Sequence, residues 1–261
     1  MEFLDEFNID LTGTNSKALN HKRITTLQSL LARLFGDNFT IESAVRLESK
    51  KNVVLHLSIH SETRRITTSL VGKLYVSGNY DNELKNLKIS TESGLSVPNV
   101  IGTDNGVILM SFIPGGNLAN LINQTFQSEI IDKLATWYYK YHRAHAMIKG
   151  DPRLRNFIWN ESQVFGLDFE ESRKGHWILD IAGISASLLD TNPINDKRKR
   201  VLAWQFLEKY LECRGEGRPQ HTDELFTKTV ADILAQTAIR REDKEIHRLS
   251  EEVRKNGIPT D

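Results

Sequence analysis

The residues with the clearest chemical meaning are two aspartates and an asparagine in one short stretch of the chain. Four residues separate Asp151 from Asn156, and Asp168 follows after two short apolar runs. A carboxylate can accept the proton of an attacking hydroxyl, and an amide oxygen with a second carboxylate can hold Mg²⁺ on phosphates. The spacing predicts phosphoryl transfer, with Asp151 as the base and Asn156 and Asp168 as metal ligands.

A β-hairpin is the element that must position these residues. The apolar runs 157–159 and 164–167 are joined by a segment, 160–163, whose residues are common in turns. A hairpin would carry Asn156 at one end and Asp168 at the other, side by side. The hairpin makes the assignment far more specific than the Asp-x4-Asn spacing alone.

The rest of the chain changes from strand-like to helix-like patterns. Strands are predicted at 39–47, 53–60, 65–76, 99–102 and 106–112, with one helix at 81–90. Helices are predicted at 118–123, 128–146, 177–189, 196–211, 222–236 and 240–255. An earlier helix would be capped by Asn15 and Ser16 and end near Phe35. We therefore predict an α+β fold with an N-terminal arm and helix (1–38), a β-rich lobe (39–112) and a helical lobe (113–261).

Composition limits the class of protein. The 261 residues are 39% hydrophobic, enough for one large domain or two lobes that share a cleft, and the formal net charge is +0. No apolar run approaches 18 residues, the first residues are acidic, and Cys213 is the single cysteine. These features predict a cytoplasmic protein with no membrane partner and no disulfide.

Over roughly residues 40–190, the chain resembles the protein-kinase-like phosphotransferases, on the atypical branch of aminoglycoside phosphotransferases and RIO kinases. Besides the Asp151-to-Asp168 segment, the resemblance is carried by a lysine at the end of the third predicted strand and a glutamate on the following helix. It implies a two-lobed kinase-like fold that uses ATP and Mg²⁺. Lys73 would then contact the ATP phosphates, and Glu83 would orient Lys73.

The resemblance assigns further residues. Backbone groups around Ser111 and Ile113 would bind the adenine edge, with Met110 at the back of that pocket. Arg153 stands where many relatives keep a lysine that touches the transferred phosphate. Asp180 matches an aspartate buried beneath the catalytic loop, and such a carboxylate in an apolar segment needs hydrogen-bond partners, which the loop amides could supply.

The chain also departs from the pattern. Lys149 replaces the usual histidine before the catalytic loop, and Glu170 replaces a glycine. The predicted first turn, 48–52, has no glycine, so binding of the phosphates would rely on Lys73, Mg²⁺ and Lys50 or Lys51. The missing glycine and the missing histidine favour a non-catalytic binding protein, or pseudokinase. The joint presence of Lys73, Glu83, Asp151, Asn156 and Asp168 favours catalysis, and by the resemblance Glu170 could assist with the metal.

The acceptor is the least determined part of the prediction. The short segment between Ile113 and Lys149 implies an open cleft that suits a macromolecule, either RNA such as tRNA or protein. An anionic acceptor such as tRNA is favoured by the basic residues expected at the mouth of the cleft, which are Lys149, Arg153, Arg155, Arg173 and Lys174. The overall neutrality of the chain argues mildly against a nucleic acid. A small-molecule acceptor of the aminoglycoside or sugar type stays open. His142 and His145, three apart on a helix, are more simply packing residues than metal ligands.

Overall fold

The structure, a computed structural model, describes residues 4–12, 19–36, 38–63, 65–76 and 80–259. The proposed cap residues Asn15 and Ser16 lie outside these ranges. The chain divides into two compact units. The first comprises Met1–Lys88 and Pro98–Ile113, and the second comprises Ile89–Val97 and Pro114–Asp261.

The first unit contains an antiparallel sheet of five strands in the order β1-β2-β3-β5-β4. The strands are β1 (Phe39–Leu47), β2 (Val53–Ser61), β3 (Ile66–Leu74), β4 (Val100–Asp104) and β5 (Val107–Ser111). All five were predicted, and their ends lie within about two residues of the predicted ones. Between β3 and β4 lies helix α2 (Asp81–Glu92), which begins with acidic residues, as the positive end of a helix dipole favours.

Helix α1 (His21–Phe35) belongs to the core of the first unit and is not a separate segment. Asn20 caps it, since its side chain accepts a hydrogen bond from the Lys22 amide at 2.9 Å. The apolar stripe of α1 is buried with the inward side chains of β2: Ile24, Leu27, Leu30, Leu31, Phe35, Val53, Leu55, Leu57 and Ile59. Buried and partly exposed side chains alternate along β2, so one face of this strand packs in the core.

The second unit combines a small sheet with six helices in its described residues. The sheet order is β6-β7-β8, formed by β6 (Gly116–Asn117), β7 (Phe157–Asn160) and β8 (Gln163–Gly166). The helices are α3 (Leu118–Thr125), α4 (Ser128–His145), α5 (Ile178–Leu189), α6 (Lys197–Arg214), α7 (Gln220–Arg241) and α8 (Lys244–Asn256). All six were predicted, but α7 is five residues longer at its C-terminal end and the two-residue β6 was not predicted.

Aromatic side chains of α4 hold the hairpin β7–β8 in place. The Trp137 ring stacks on Tyr141 with centroids 5.4 Å apart and meets Phe157 of β7 edge-on at 5.1 Å. The indole N–H of Trp137 donates to the Ser96 carbonyl at 3.0 Å. This packing gives the hairpin a rigid base. None of the helices in the described ranges is both long enough and apolar enough to span a membrane.

Candidate active site

The hairpin β7–β8 brings Asn156 and Asp168 to neighbouring chain ends. Phe157 pairs with Gly166 in the antiparallel register, and the Leu167 amide donates to the Asn156 carbonyl at 2.8 Å. Asn156 directly precedes β7, Asp168 follows β8, and these two strand ends lie next to each other. This is the arrangement that the apolar runs and the turn segment predict.

Asp151 is held by donors on both of its carboxylate oxygens. Arg153 Nε lies 2.9 Å from Oδ1, and Asn156 Nδ2 donates to Oδ2 at 2.9 Å. A second bond runs from Asn156 Nδ2 to the Asp151 carbonyl, also at 2.9 Å. The side chain of Asp151 is 24% exposed, so a substrate hydroxyl can reach it. The carboxylate has both the orientation and the access that a general base needs.

These contacts also determine which way the Asn156 amide faces. An ionised carboxylate only accepts hydrogen bonds, so the NH₂ group of Asn156 must point towards Asp151. Its Oδ1 atom then points away, and no described residue donates a hydrogen bond to it. That oxygen is suited to bind a cation.

Asp168 and Glu170 offer further oxygen ligands close to the hairpin. Oxygens of the two carboxylates lie within 4.8 Å of one another, and both side chains are partly exposed. Asp168 has a φ of 58°, in the left-handed region that aspartate adopts more readily than most other non-glycine residues. A donor set of carboxylate and amide oxygens is one that Mg²⁺ and Ca²⁺ prefer, so these residues fit a hard divalent cation.

Asp180 of α5 anchors the loop that carries Asp151. The side chain is fully buried and accepts hydrogen bonds from the Lys149 amide at 2.6 Å and the Gly150 amide at 3.1 Å. His142 Nε2 lies 2.9 Å from the same carboxylate. The structural role predicted for Asp180, with loop amides as its partners, is confirmed.

Lys149 does not lie at the mouth of a cleft, contrary to the prediction. The residue is fully buried, and its Nζ donates to the Asp168 carbonyl at 2.8 Å. The ammonium lies 5.5 and 5.3 Å from the ring centres of Phe157 and Phe169, a cation–π geometry. Lys149 therefore links the loop of residues 148–153, which carries Asp151 and which we call the catalytic loop, to the Asp168 segment.

The two histidines of α4 have packing roles. His142 bridges Asp180 and the Tyr210 hydroxyl, which lies 2.7 Å from Nδ1. His145 contacts the Ser90 hydroxyl at 2.9 Å, and burial, assisted by the charge of His142, lowers the pKa of His145 to about 4. Within the described part of the chain, neither histidine belongs to a cluster of three metal-ligating side chains.

The first unit holds the predicted nucleotide-binding residues. Lys73 Nζ and Glu83 Oε2 lie 2.6 Å apart, with only 9% and 3% of their side chains exposed. The Tyr75 hydroxyl donates to the same Glu83 oxygen. A buried pair with an additional hydrogen bond fixes the lysine ammonium in one place.

The predicted adenine-binding segment follows the last strand. Met110 packs with Tyr75 and Ile108 in a small buried cluster. The Ser111 amide donates to the Asn99 carbonyl at 2.9 Å, and the Ser111 hydroxyl accepts from the Asn99 amide at 3.0 Å. Ile113, two residues on, is partly exposed.

A cavity of about 520 Å³ adjoins Asp151 within the second unit. Its walls come from the catalytic loop, from α5 and from the C-terminal half of α7. Gly183 of α5 lets the loop approach closely, since a Cβ at this position would collide with the Pro152 ring. We call this cavity the acceptor-side pocket.

Comparison with known proteins identifies the fold. Residues 49–174 match the family model of the RIO domain. No curated protein sequence matches the chain. The structure superposes on an amicoumacin kinase in complex with AMP-PNP and Ca²⁺, with a TM-score of 0.62, 15% identity and coverage of 93% of this chain and 98% of that one. The fold is that of the protein-kinase-like superfamily.

Two further kinase-like structures agree with this assignment. A choline/ethanolamine kinase family protein from Mesorhizobium loti has a TM-score of 0.58 and 12% identity, over 90% of this chain and 93% of that one. The gentamicin complex of APH(2″)-IIa has a TM-score of 0.55 and 10% identity, over 88% of this chain and 95% of that one. The predicted fold class, with an antiparallel β N-lobe and a helical C-lobe, is confirmed.

The sequence predicts the residues proposed for phosphoryl transfer, but it does not predict the pocket beside Asp151. The matched family segment includes all five positions predicted to bind nucleotide phosphate, to bind metal or to act as the base: Lys73, Glu83, Asp151, Asn156 and Asp168. The acceptor-side pocket uses α7, far beyond that segment. The arginine pair at the end of α7, Arg240 and Arg241, lines this pocket.

Proposed function

We propose that the chain is an ATP-dependent kinase that transfers a phosphoryl group to an acceptor hydroxyl. The observation that carries this proposal is the position of Asp151, held by Arg153 and Asn156 beside a pocket that a small molecule can enter. The RIO-domain match and the kinase-like fold support a phosphotransferase that acts on hydroxyl groups. A neighbour with this fold binds AMP-PNP and Ca²⁺, which supports ATP and a divalent cation as cofactors here.

The proposed reaction is a direct phosphoryl transfer. Bound Mg²⁺ would neutralise charge on the ATP phosphates, and Asn156 and Asp168 would hold it, with Glu170 as a further donor. The acceptor oxygen forms a bond to the γ-phosphorus while the bond from that phosphorus to the bridging oxygen breaks. The electron pair of the broken bond leaves with ADP. Asp151 takes the proton of the acceptor hydroxyl.

The first unit would bind the nucleotide. Lys73 would contact the phosphates, and Glu83 keeps its ammonium in position through the 2.6 Å ion pair. Backbone groups at Ser111 and Ile113 would bind the adenine edge, against Met110. This buried pair is retained together with Asp151, Asn156 and Asp168, and the joint presence of all five residues favours catalysis over a pseudokinase.

Arg153 would orient Asp151, the proposed base, and would not be simply a solvent-facing residue. Its Nε contacts Asp151 directly at 2.9 Å. In that place the guanidinium keeps the carboxylate oriented before the acceptor arrives, and it can then bind the phosphoryl group in transfer.

The pocket favours a small acceptor over the macromolecule that the short segment after Ile113 predicts. A volume of about 520 Å³ falls within the usual range for small-molecule sites, roughly 300–1,000 Å³. Helices α5 and α7 supply walls that the sequence did not reveal. RNA and protein acceptors remain the alternative, and a hydroxyl at the end of such a molecule would have to enter the same pocket.

The metal assignment can be tested by calorimetry of ATP with and without Mg²⁺. Asp168→Ala removes a cation ligand. We expect Mg²⁺ to increase the affinity for ATP in the wild type, and we expect this increase to be at least about 10-fold smaller in the variant. Asp104→Ala, which removes an exposed carboxylate paired with Arg33, is the matched control and should behave as wild type. Equal Mg²⁺ dependence in all three proteins would contradict the assignment.

A further inference from the structure

The carboxylates that line the acceptor-side pocket are already engaged within the protein. Asp151 and Asp180 have the partners described above. Asp232 pairs with Arg254 at 2.8 Å, and Asp190 Oδ2 pairs with Arg241 at 3.1 Å. The pocket lining contains four aspartates and four arginines, whereas a polycationic substrate requires a surplus of carboxylates.

Two arginines of the same pocket have no acidic partner. Arg173 Nη1 donates to the Glu171 carbonyl at 3.1 Å, and Arg240 Nη2 lies 3.3 Å from the Thr237 hydroxyl. Among the residues that the structure describes, no carboxylate lies within 4.0 Å of either guanidinium. Both side chains are exposed at the pocket, so a ligand can reach them.

Arg153, although paired with Asp151, also lies close to other guanidinium groups. Burial lowers the pKa of Arg153, Asp151 opposes that change, and the nearby charges of Arg240, Arg155 and Arg241 lower it further. Repulsion among guanidinium groups that face one pocket is relieved when an anion binds between them. This charge pattern points to an anionic ligand.

Asp190 supplies an independent indication of a ligand. The residue is only 8% exposed and lines the pocket, yet its Oδ1 atom has no hydrogen-bond partner among the described residues. A buried carboxylate oxygen without a donor is costly, and burial accordingly raises the pKa of Asp190. A ligand hydroxyl would supply the missing donor.

We propose that the acceptor is a small polyhydroxylated molecule that carries a phosphate group, such as a sugar phosphate. Its phosphate would bind Arg240 and Arg173, and one hydroxyl would donate to Asp190 Oδ1. Two guanidinium groups balance a phosphate dianion, and their planar donor pairs match phosphate oxygens. A second hydroxyl would give its proton to Asp151 and take the phosphoryl group from ATP, leaving ADP. This inference rests on the proposed function.

The test measures transfer of label from γ-labelled ATP to defined acceptor pools. One pool contains sugar monophosphates and glycerol phosphate, and the others contain neutral sugars and polyols, sugar acids, aminoglycosides, and total RNA. We expect label in the phosphate pool. For the labelled acceptor, Arg240→Gln and Arg173→Gln should each raise the KM by about 10- to 100-fold without changing MgATP affinity.

Arg248→Gln is the matched control, because this arginine on α8 has a side chain that is 72% exposed and forms an ion pair with Glu252 at 3.9 Å, away from the pocket lining. It should leave the KM unchanged. Three results would overturn the inference and leave the kinase proposal standing. They are label in another pool and not in the phosphate pool, label in no pool although MgATP binds, and an unchanged KM in both pocket variants. Failure of the wild type to bind MgATP would reject the kinase proposal itself.

Discussion

At the scale of single residues, one buried carboxylate organises the loop that carries the proposed base. Asp180 accepts two backbone amides and contacts His142, and His142 in turn contacts Tyr210. Gly150 has a φ of +67°, and a Cβ there would collide with the Glu171 carbonyl. The loop therefore has few alternative conformations available.

Asp180→Ala should destabilise the protein. Each buried donor left without an acceptor costs about 1–3 kcal/mol, so losing the acceptor of both loop amides should lower the free energy of unfolding by at least about 2 kcal/mol. Urea unfolding of the variant measures this change. Asp104→Ala, which breaks an exposed ion pair, should cost less than about 1 kcal/mol. Equal losses in the two variants would show that Asp180 does not anchor the loop.

Residue type and spacing predict some of these positions and not others. Asp151, Asn156 and Asp168 follow from their spacing around a hairpin, because a hairpin of known length fixes which ends meet. The location of Lys149 could not be predicted in this way, because lysine is rarely fully buried. Its burial depends on Phe157 and Phe169, and only the tertiary packing brings their rings together around the ammonium.

At the scale of elements, α5 packs against the catalytic loop and contacts it through Asp180 and Gly183. Ten of its twelve residues are buried, among them Asp180 and Gly183. Gly183 gives the loop room, because the Pro152 ring occupies the space of a side chain there. A helix glycine in an apolar segment lowers helix propensity, so its presence is explained by this close contact.

Gly183→Ala should displace the catalytic loop. Misplacement of a catalytic group by about 1 Å can cost about 100-fold in rate, so we expect kcat to fall at least about 10-fold. Gly217→Ala is the control, since a Cβ there meets nothing within 4 Å. Steady-state kinetics with the labelled acceptor compares the two variants. An unchanged kcat for Gly183→Ala would show that the loop tolerates the added methyl group.

Regular periodicity made most elements predictable. The alternation of β2 and the apolar stripes of α1 and α4 correspond to faces that are buried in the structure. The strand β6 has only two residues and carries no periodic signal. The pocket escaped prediction because its walls lie far apart in the sequence, in the catalytic loop and in α7.

At the scale of the whole molecule, the functional groups are distributed over both compact units. The first unit contains the Lys73–Glu83 pair, and the second contains Asp151, Asn156 and Asp168. A net charge of +0 does not show that two arginines without an acidic partner among the described residues, Arg173 and Arg240, line one pocket. Kinase-like folds host many acceptors, and the acceptor must be inferred from the site.

The assignment of Asp151 as the base can be tested by comparing the wild type with Asp151→Asn in label transfer from γ-labelled ATP, with MgATP affinity measured alongside. The substitution keeps the shape of the side chain and removes the proton acceptor. We expect transfer to fall by about 10²–10⁴-fold while MgATP affinity is unchanged. Transfer by Asp151→Asn at the wild-type rate would contradict the assignment of Asp151 as the base.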